Sequence, residues 1–220
     1  MRWQPVLRHS GLPAPCGGRR ARIGLLGGSF NPAHDGHIHI SELALAQLDL
    51  DEVWWLVSPQ NPLKAEEGMA PLPSRLLQAR LVASAHPRIR VTDVEAALAT
   101  RYTVDTLAAV ASRWRRLSFV WLMGADNLSQ MRHWRRWSSI FHIMPIAVFD
   151  RPTYSLRALA GLAARRFAAQ RQPLWAARGL AERRPPAWVF LHTRLHSASA
   201  TGLRARGRAP ISGRNSGEAD

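Results

Sequence analysis

The stretch that most constrains the fold is IGLLGGSFNPAHDGHIH, residues 23–39. Its apolar opening, IGLL, predicts a buried strand, which Gly27 and Gly28 are expected to end at a turn. A tight loop is expected next, followed by a helix over 36–48. Glycines let a backbone approach a phosphate closely, and a helix start offers unpaired N–H groups and partial positive charge. The order of strand, glycine turn and helix start therefore predicts an anion site.

Two histidines, His34 and His37, stand three residues apart at the predicted helix start. Their imidazoles can donate hydrogen bonds to phosphate oxygens, which predicts a binding role. Two other interpretations stay open: the pair caps a surface helix, or it binds zinc. The zinc interpretation is disfavoured because HDGH has no nearby cysteine or third ligand at a useful spacing.

The segment GGSFNPAHDGH resembles the GG(T/S)FDPxHxGH signature of the nucleotidyltransferases related in fold to class I aminoacyl-tRNA synthetases. Asn31 stands where that family usually has Asp. The resemblance implies that His37 contacts the α-phosphate region and that His34 holds the ATP phosphates, as the catalytic pair. The residues that it implies for ATP binding are Gly27, Gly28, Ser29, Phe30, His34, Gly36 and His37.

A second segment, SASATGLRAR at 197–206, follows the last predicted strand and resembles the ISxTxxR motif of the same family. Ser199, Thr201 and Arg204 occupy the matching positions, and Ala198 replaces the usual Ile. Hydroxyls at a helix start can bind phosphate, and an arginine one turn later can contact two phosphate oxygens. The resemblance implies that these three residues bind ATP. A Ser/Thr cap followed by Arg is also an ordinary helix start.

Three further segments resemble those of bacterial nicotinate-nucleotide adenylyltransferases. They are SPQNPLK at 58–64, which resembles PNxxPPHK, RYTVDTL at 101–107, which resembles SYTxxTL, and GADNLSQMRHW at 124–134, which resembles GxDxLxxxxxW. The resemblance implies that a nicotinate is surrounded by Tyr102, Thr103 and Trp134. It also implies that Asp126 reaches a ribose and that Lys64 contacts a phosphate. Tyr102 and Trp134 can equally be core residues.

The rest of the chain alternates short apolar runs with helical patterns. Strands are predicted at 23–26, 53–57, 89–92, 118–123, 143–149 and 187–191, and helices at 36–48, 74–85, 103–114 and 154–170. Ser74 and Asp126 are expected to cap helices, and Pro145 moves the fifth strand toward a sheet edge. The pattern predicts an α/β fold, a Rossmann-like doubly wound parallel sheet with helices on both faces. Ligands bind such sheets at the carboxyl ends of the strands.

Length, charge and cysteine content indicate the domain organisation and the class of protein. The 220 residues predict one domain at 21–206, with a disordered basic extension at 1–20 and a disordered tail at 207–220. The net charge of +15 is almost all arginine, since Lys64 is the single lysine. A nucleic-acid-binding module is the non-enzymatic alternative, but no recognition-helix or zinc-finger pattern supports it. One cysteine, Cys16, predicts a reducing, cytoplasmic setting without an internal disulfide.

Together the resemblances imply adenylyl transfer from ATP to nicotinate mononucleotide, giving nicotinate adenine dinucleotide (deamido-NAD) and pyrophosphate. Mg²⁺ is expected to bridge phosphate oxygens with few or no protein ligands. Nicotinamide mononucleotide and phosphopantetheine are the alternative acceptors. The expected partners are ATP and nicotinate mononucleotide, without nucleic acid or membrane, and a homo-oligomer is left open.

Overall fold

A computed structural model describes residues 20–59, 68–150 and 154–192. These residues build one sheet in the strand order β3-β2-β1-β4-β5-β7-β6, and every neighbouring pair of strands is parallel. The strands are β1 (Ala21–Gly28), β2 (Glu52–Val57), β3 (Ile89–Thr92), β4 (Leu117–Gly124), β5 (Ile146–Phe149), β6 (Arg171–Gln172) and β7 (Trp188–Leu191). The predicted Rossmann-like parallel sheet is confirmed.

Helices cover both faces of this sheet. The helices are α1 (Asp35–Gln47), α2 (Leu72–Ala83), α3 (Val94–Ala97), α4 (Thr103–Arg113), α5 (Ala125–Gln130), α6 (Trp137–Ile143), α7 (Ser155–Leu159) and α8 (Leu162–Arg166). Short 3₁₀ helices lie at Met131–His133, Ala168–Gln170 and Leu174–Glu182. In the described part of the chain, none of the helices reaches the length and apolar character needed to span a bilayer.

Two apolar cores result, one on each side of the sheet. Adjacent residues of a strand point to opposite faces, so Leu25 of β1 joins one core and Leu26 joins the other. The core that contains Leu25 packs against helices α3 to α8. The core that contains Leu26 packs against α1, α2 and the Leu174–Glu182 helix. This double burial explains why the strands are continuous apolar runs such as VWWLV.

The strand order reverses beside β1. The chain passes outward from β1 to β2 and β3, then returns to place β4 on the other side of β1. The carboxyl ends of these two central strands, Gly28 and Gly124, therefore lie at the switch point, where open parallel sheets bind ligands.

Two predictions about the strands and their turns are wrong. Gly27 and Gly28 do not end the strand at a turn but belong to β1, where they pair with Leu56 and Val57. β5 is not an edge strand, because it lies between β4 and β7. Pro145 is tolerated there because it precedes the first paired residue and uses only its carbonyl, which accepts from the Trp121 N–H at 2.9 Å.

The predicted helix starts also need correction. Ser74 does not cap α2, which begins at Leu72 after Pro71. The apolar pattern of the predicted helix at 74–85 places on the inward face Leu76, Leu77, Leu81 and Val82. In the structure the buried face of α2 includes Arg75, while Leu77 and Leu81 are 59% and 65% exposed. Small residues, Ala79 and Ala83, occupy the buried face and let the helix approach the sheet closely.

The start of α5 and the helix predicted over 154–170 also differ from the prediction. Asp126 lies in the first turn of α5, and Gly124 occupies the cap position instead. The helix predicted over 154–170 is broken at Gly161 into α7 and α8, followed by a 3₁₀ turn. At Gly161 the backbone is extended, with φ −69° and ψ 160°, which a continuous helix does not allow.

Candidate active site

The two predicted catalytic histidines lie together at the start of α1. His34 is the N-cap residue, and its Nδ1 accepts a hydrogen bond from the Gly36 N–H at 3.1 Å. In return, Nδ1 of His37 accepts from the His34 N–H at 3.2 Å. The ring centroids are 4.0 Å apart. The pair therefore forms a reciprocal cap made of two imidazoles, so the helix-capping interpretation and a role at the site coexist.

This cap determines which ring nitrogen carries the proton. A nitrogen that accepts a hydrogen bond holds no proton, so in each neutral ring the proton is on Nε2. Both imidazoles consequently have an N–H on the side opposite the capped backbone. Two such donors beside the positive end of a thirteen-residue helix suit the binding of phosphate oxygens.

Aromatic packing holds the His37 ring in place. Its centroid lies 4.6 Å from that of Phe30 and 5.7 Å from that of Trp55. Phe30 is 1% exposed and has a positive φ of 46°, which turns the chain sharply after β1. Ser41 donates to the His37 carbonyl at 2.8 Å and accepts from Trp55 Nε1 at 2.8 Å. The ring and the main chain of His37 are thus both fixed by the core beneath them.

The structure gives the pair of glycines at the end of β1 a packing role as well. A Cβ at Gly27 would lie 2.3 Å from the Cη2 atom of Trp121 on the neighbouring strand β4. At Gly28 the nearest atom to such a Cβ is Phe30 Cε2, at 3.3 Å. The absence of a side chain at Gly27 therefore leaves the space that the Trp121 indole occupies, independently of any role in phosphate binding. The assignment of Gly27, Gly28, Ser29 and Gly36 to ATP binding stays a prediction.

Asn31 links the loop after β1 to the segment before α2. Its Nδ2 donates to the Gly68 carbonyl at 3.0 Å, and its Oδ1 accepts from the Ala70 N–H at 3.2 Å. An amide can make this pair of contacts because it carries both a donor and an acceptor, whereas a carboxylate only accepts. This gives a physical reason for Asn at a position where the resembled family usually has Asp.

Sequence reasoning missed Arg75, which is 1% exposed on α2. Its guanidinium donates four hydrogen bonds to main-chain carbonyls around the same loops, those of Ser29, Ser58, Pro59 and Ala70. Burial lowers the pKa of this guanidinium from its ordinary value. The sequence carries no signal for it, since the predicted inward face of the second helix is Leu76, Leu77, Leu81 and Val82 and an arginine outside that face indicates an exposed charge.

The predicted acceptor residues lie on the other face of the sheet. Tyr102 precedes α4 and Trp134 follows the Met131–His133 turn, and both are half-buried against the core that contains Leu25. The Arg135 guanidinium stacks 4.6 Å from the Tyr102 ring centroid. Arg136 Nη1 lies 3.8 Å from Asp105 of α4. Arg135 and Arg136, which directly follow the segment 124–134, therefore contact the segment 101–107.

Asp126 and Thr103 occupy two helix starts on this side. Asp126 lies two residues after Gly124, the last residue of β4, in the first turn of α5 and at the switch point next to β1. Thr103 is the first residue of α4, directly after Tyr102. Lys64, Ser199, Thr201 and Arg204 lie outside the described residues, so their roles stay predictions.

Comparison with known proteins identifies the family of the chain. The cytidylyltransferase-like family model matches residues 25–206. A protein of Methylorubrum extorquens, named "Probable nicotinate-nucleotide adenylyltransferase", is 52% identical over 84% of this chain and 100% of its own length. A protein of the same name from Parvibaculum lavamentivorans is 52% identical over 84% of this chain and 92% of its own.

A solved structure with a related fold is the Plasmodium falciparum nicotinic acid mononucleotide adenylyltransferase complexed with NaAD. Its TM-score is 0.62 at 13% sequence identity, and the match covers 84% of this chain and 83% of the other. At this identity the match shows the shared fold. The family model and the two relatives at 52% identity show the family. The chain belongs to the cytidylyltransferase-like family and, within it, to the nicotinate-nucleotide adenylyltransferases.

Proposed function

We propose that this chain transfers an adenylyl group from ATP to nicotinate mononucleotide, giving nicotinate adenine dinucleotide and pyrophosphate. The observation that carries the proposal is the reciprocal cap of His34 and His37, which fixes two imidazole donors at the start of α1. The site lies at the carboxyl end of β1, next to the point where the strand order reverses. Membership of the nicotinate-nucleotide adenylyltransferases supports the choice of substrates.

The reaction needs positioning and charge stabilisation more than proton transfer. A phosphate oxygen of the mononucleotide attacks the α-phosphorus of ATP, the bond from that phosphorus to the bridging oxygen breaks, and pyrophosphate leaves. The attacking phosphate is already ionised near neutral pH, so no general base is required. His37 and the start of α1 would stabilise charge on the α-phosphate, and His34 would hold the phosphates of ATP.

The acceptor would bind across the switch point from the histidines. The histidines pack with Phe30 and Trp55 on one face of the sheet, whereas Tyr102 and Trp134 pack on the other. A ligand that reaches both groups must cross the carboxyl ends of β1 and β4, where Asp126 lies. Flat aromatic faces suit a pyridinium ring, and Asp126 would accept from ribose hydroxyls.

Mg²⁺ would arrive as the complex with ATP. Within the described residues, no group of three or more His, Cys, Asp or Glu side chains could hold a metal ion. Mg²⁺ keeps several waters and is commonly bound through substrate phosphates, so we assign it to the nucleotide rather than to a protein site. Ser199, Thr201 and Arg204 would bind the β- and γ-phosphates. These roles and the cytoplasmic setting stay predictions, and the oligomeric state stays open.

A panel of acceptors tests the proposal. Pyrophosphate release from ATP and Mg²⁺ is measured with nicotinate mononucleotide, nicotinamide mononucleotide and phosphopantetheine, each with the purified chain. We expect the highest kcat/KM with nicotinate mononucleotide. A preference for either other acceptor would move the activity to another adenylyltransferase. Salt-dependent binding to random DNA without pyrophosphate release would instead support the nucleic-acid-binding alternative.

A further inference from the structure

We propose that Arg75 is a positioning residue. Its guanidinium fixes the loop that leads from β1 to His34 and His37 relative to the loop after β2, and so positions the two histidines for the transfer. This inference rests on the proposed function, because the loop after β1 leads to the two histidines that are assigned there to the ATP phosphates. Arg75 lies on α2 and belongs to none of the motifs that predict substrate contact.

The hydrogen bonds of Arg75 join three separate stretches of chain. Its Nη1 donates to the carbonyls of Ser29 and Ser58, both at 2.7 Å. Its Nη2 donates to the Pro59 carbonyl at 2.8 Å, and its Nε to the Ala70 carbonyl at 2.8 Å. Ser29 follows β1 directly and Ser58 follows β2 directly. One planar group therefore sets the distance between the carboxyl ends of two adjacent strands.

All four acceptors are main-chain carbonyls, so the four hydrogen bonds depend directly on where the backbone of each loop lies. A guanidinium presents its donors in a rigid planar fork, so the four carbonyls can be satisfied together only in one arrangement of the loops. A lysine has three donors on a flexible stem and cannot reproduce that fork. The geometry thus depends on arginine specifically, and not only on a positive charge.

Stability alone does not account for a buried guanidinium here. Removing a cation from water is costly, and a well-packed apolar side chain often serves a core equally well or better. Among the described residues, the hydrogen-bond partners of Arg75 are carbonyls rather than carboxylates, so no ion pair compensates for the burial. The arginine instead fixes the position of the loop after β1, which leads to the histidines, relative to the loop after β2.

Asn31 gives a second, independent link between the same parts. Its side chain bonds Gly68 and Ala70, which lie just before α2, while Arg75 bonds Ala70 and both residues after β2. Asn31 belongs to the loop that ends in the His34 cap. Both ends of the connection between β2 and α2 are therefore tied to the loop that leads to the histidines.

The test separates positioning from binding. Arg75→Lys keeps the charge, Arg75→Met keeps the volume, and Arg80→Met on the exposed side of α2 is the matched control. The four hydrogen bonds of Arg75 go to main-chain carbonyls and not to the side chains predicted to bind substrate. We therefore expect both KM values to stay within about threefold while kcat falls about 10- to 100-fold, the scale of a misplacement near 1 Å. Arg80→Met should match the wild type.

Three results would overturn the proposal. The first is a folded Arg75→Lys or Arg75→Met variant with the kcat of the wild type. The second is a variant with unchanged kcat and a raised KM for one substrate, which would make Arg75 part of one binding site. The third is failure of both variants to fold, by circular dichroism, which would make it a stability residue. Lack of pyrophosphate release by the wild type would instead refute the proposed function, so the two failures are distinguishable.

Discussion

The main-chain N–H of His34 donates to Nδ1 of His37, while Nδ1 of His34 accepts from the first turn of the same helix. Each imidazole thus satisfies a backbone donor with one nitrogen and keeps its proton on the other. The same contacts therefore build the first turn of α1 and orient the two imidazole donors that are proposed to bind phosphate. A change in either ring alters the helix end and the site together.

Replacing His37 by alanine should lower kcat by about 10²- to 10³-fold, the scale for losing one preorganised donor aimed at developing charge. The lost cap should also cost about 1 kcal/mol of folding free energy. His39→Ala, two residues along the same helix, is the matched control, and its kcat should stay near the wild-type value. Near-normal turnover by a folded His37→Ala variant would remove His37 from the mechanism.

Replacing Trp134 by alanine should raise KM for nicotinate mononucleotide and leave KM for ATP nearly unchanged. The stacking of an aromatic ring on a pyridinium ion is worth about 1 kcal/mol when partly desolvated, which corresponds to a change of roughly five- to tenfold. Trp175→Ala is the control, since Trp175 is 83% exposed on the Leu174–Glu182 helix. An equal effect on both KM values would show that Trp134 supports the fold and not the acceptor.

The strands could be predicted because their residues are buried on both sides. A run such as VWWLV in β2 has no polar face, and that continuity is the mark of a parallel strand between two helical layers. The two-residue β6 and the four-residue α3 could not be predicted, since elements so short show no periodicity. The helix start at His34 was predictable because Pro32 and the two histidines mark it, whereas Gly27 and Gly28, predicted to form a turn, belong to β1.

Arg75 shows why the rest of the site could not be predicted. Its partners are 46 residues away at Ser29 and 17 residues away at Ser58, and each contributes a main-chain carbonyl. Every residue of the chain carries such a carbonyl, so the sequence holds no trace of the pairing. The helical pattern favoured Leu77 and Leu81 for the buried face, although packing against the sheet selects Arg75, Leu76 and two alanines.

Replacing Gly27 by alanine should destabilise the fold through contact with Trp121. The new Cβ would lie 2.3 Å from Cη2 of the indole, so we expect a cost of about 1–3 kcal/mol, as for overpacking. Trp121→Phe removes that atom, so the alanine should cost less in the Trp121→Phe background. Urea unfolding of the two single variants and the double variant measures this coupling, which should be on the order of 1 kcal/mol.

The matched control for that cycle is Gly28→Ala. Its Cβ would face Phe30 at 3.3 Å and not Trp121, so Trp121→Phe should give it no relief. Additive effects of Gly27→Ala and Trp121→Phe would mean that the strand shifts to accept the methyl group, and the packing explanation for Gly27 would be wrong.

Replacing Glu95 by glutamine should raise stability at neutral pH. Burial raises the pKa of the Glu95 carboxyl above its ordinary value of 4.5, and a hydrogen bond from Ser58 opposes that shift. The folded chain therefore binds this proton more tightly than the unfolded chain. Stability from this group is fully present below pH 4.5 and is lost as the pH rises through the raised pKa. Glutamine does not titrate and can still accept from the Ser58 hydroxyl.

Thermal unfolding of the wild type and of Glu95→Gln from about pH 4 to about pH 8 tests whether the contribution of Glu95 to stability falls as the pH rises. The Tm of Glu95→Gln should exceed that of the wild type at the upper end by a few degrees, and the two values should converge toward the lower end. Glu182→Gln changes an exposed carboxyl by the same chemistry and should show no such divergence. If the wild type were more stable than Glu95→Gln at neutral pH, the fold would stabilise the ionised carboxylate. Burial would then not be the main influence on the pKa of Glu95.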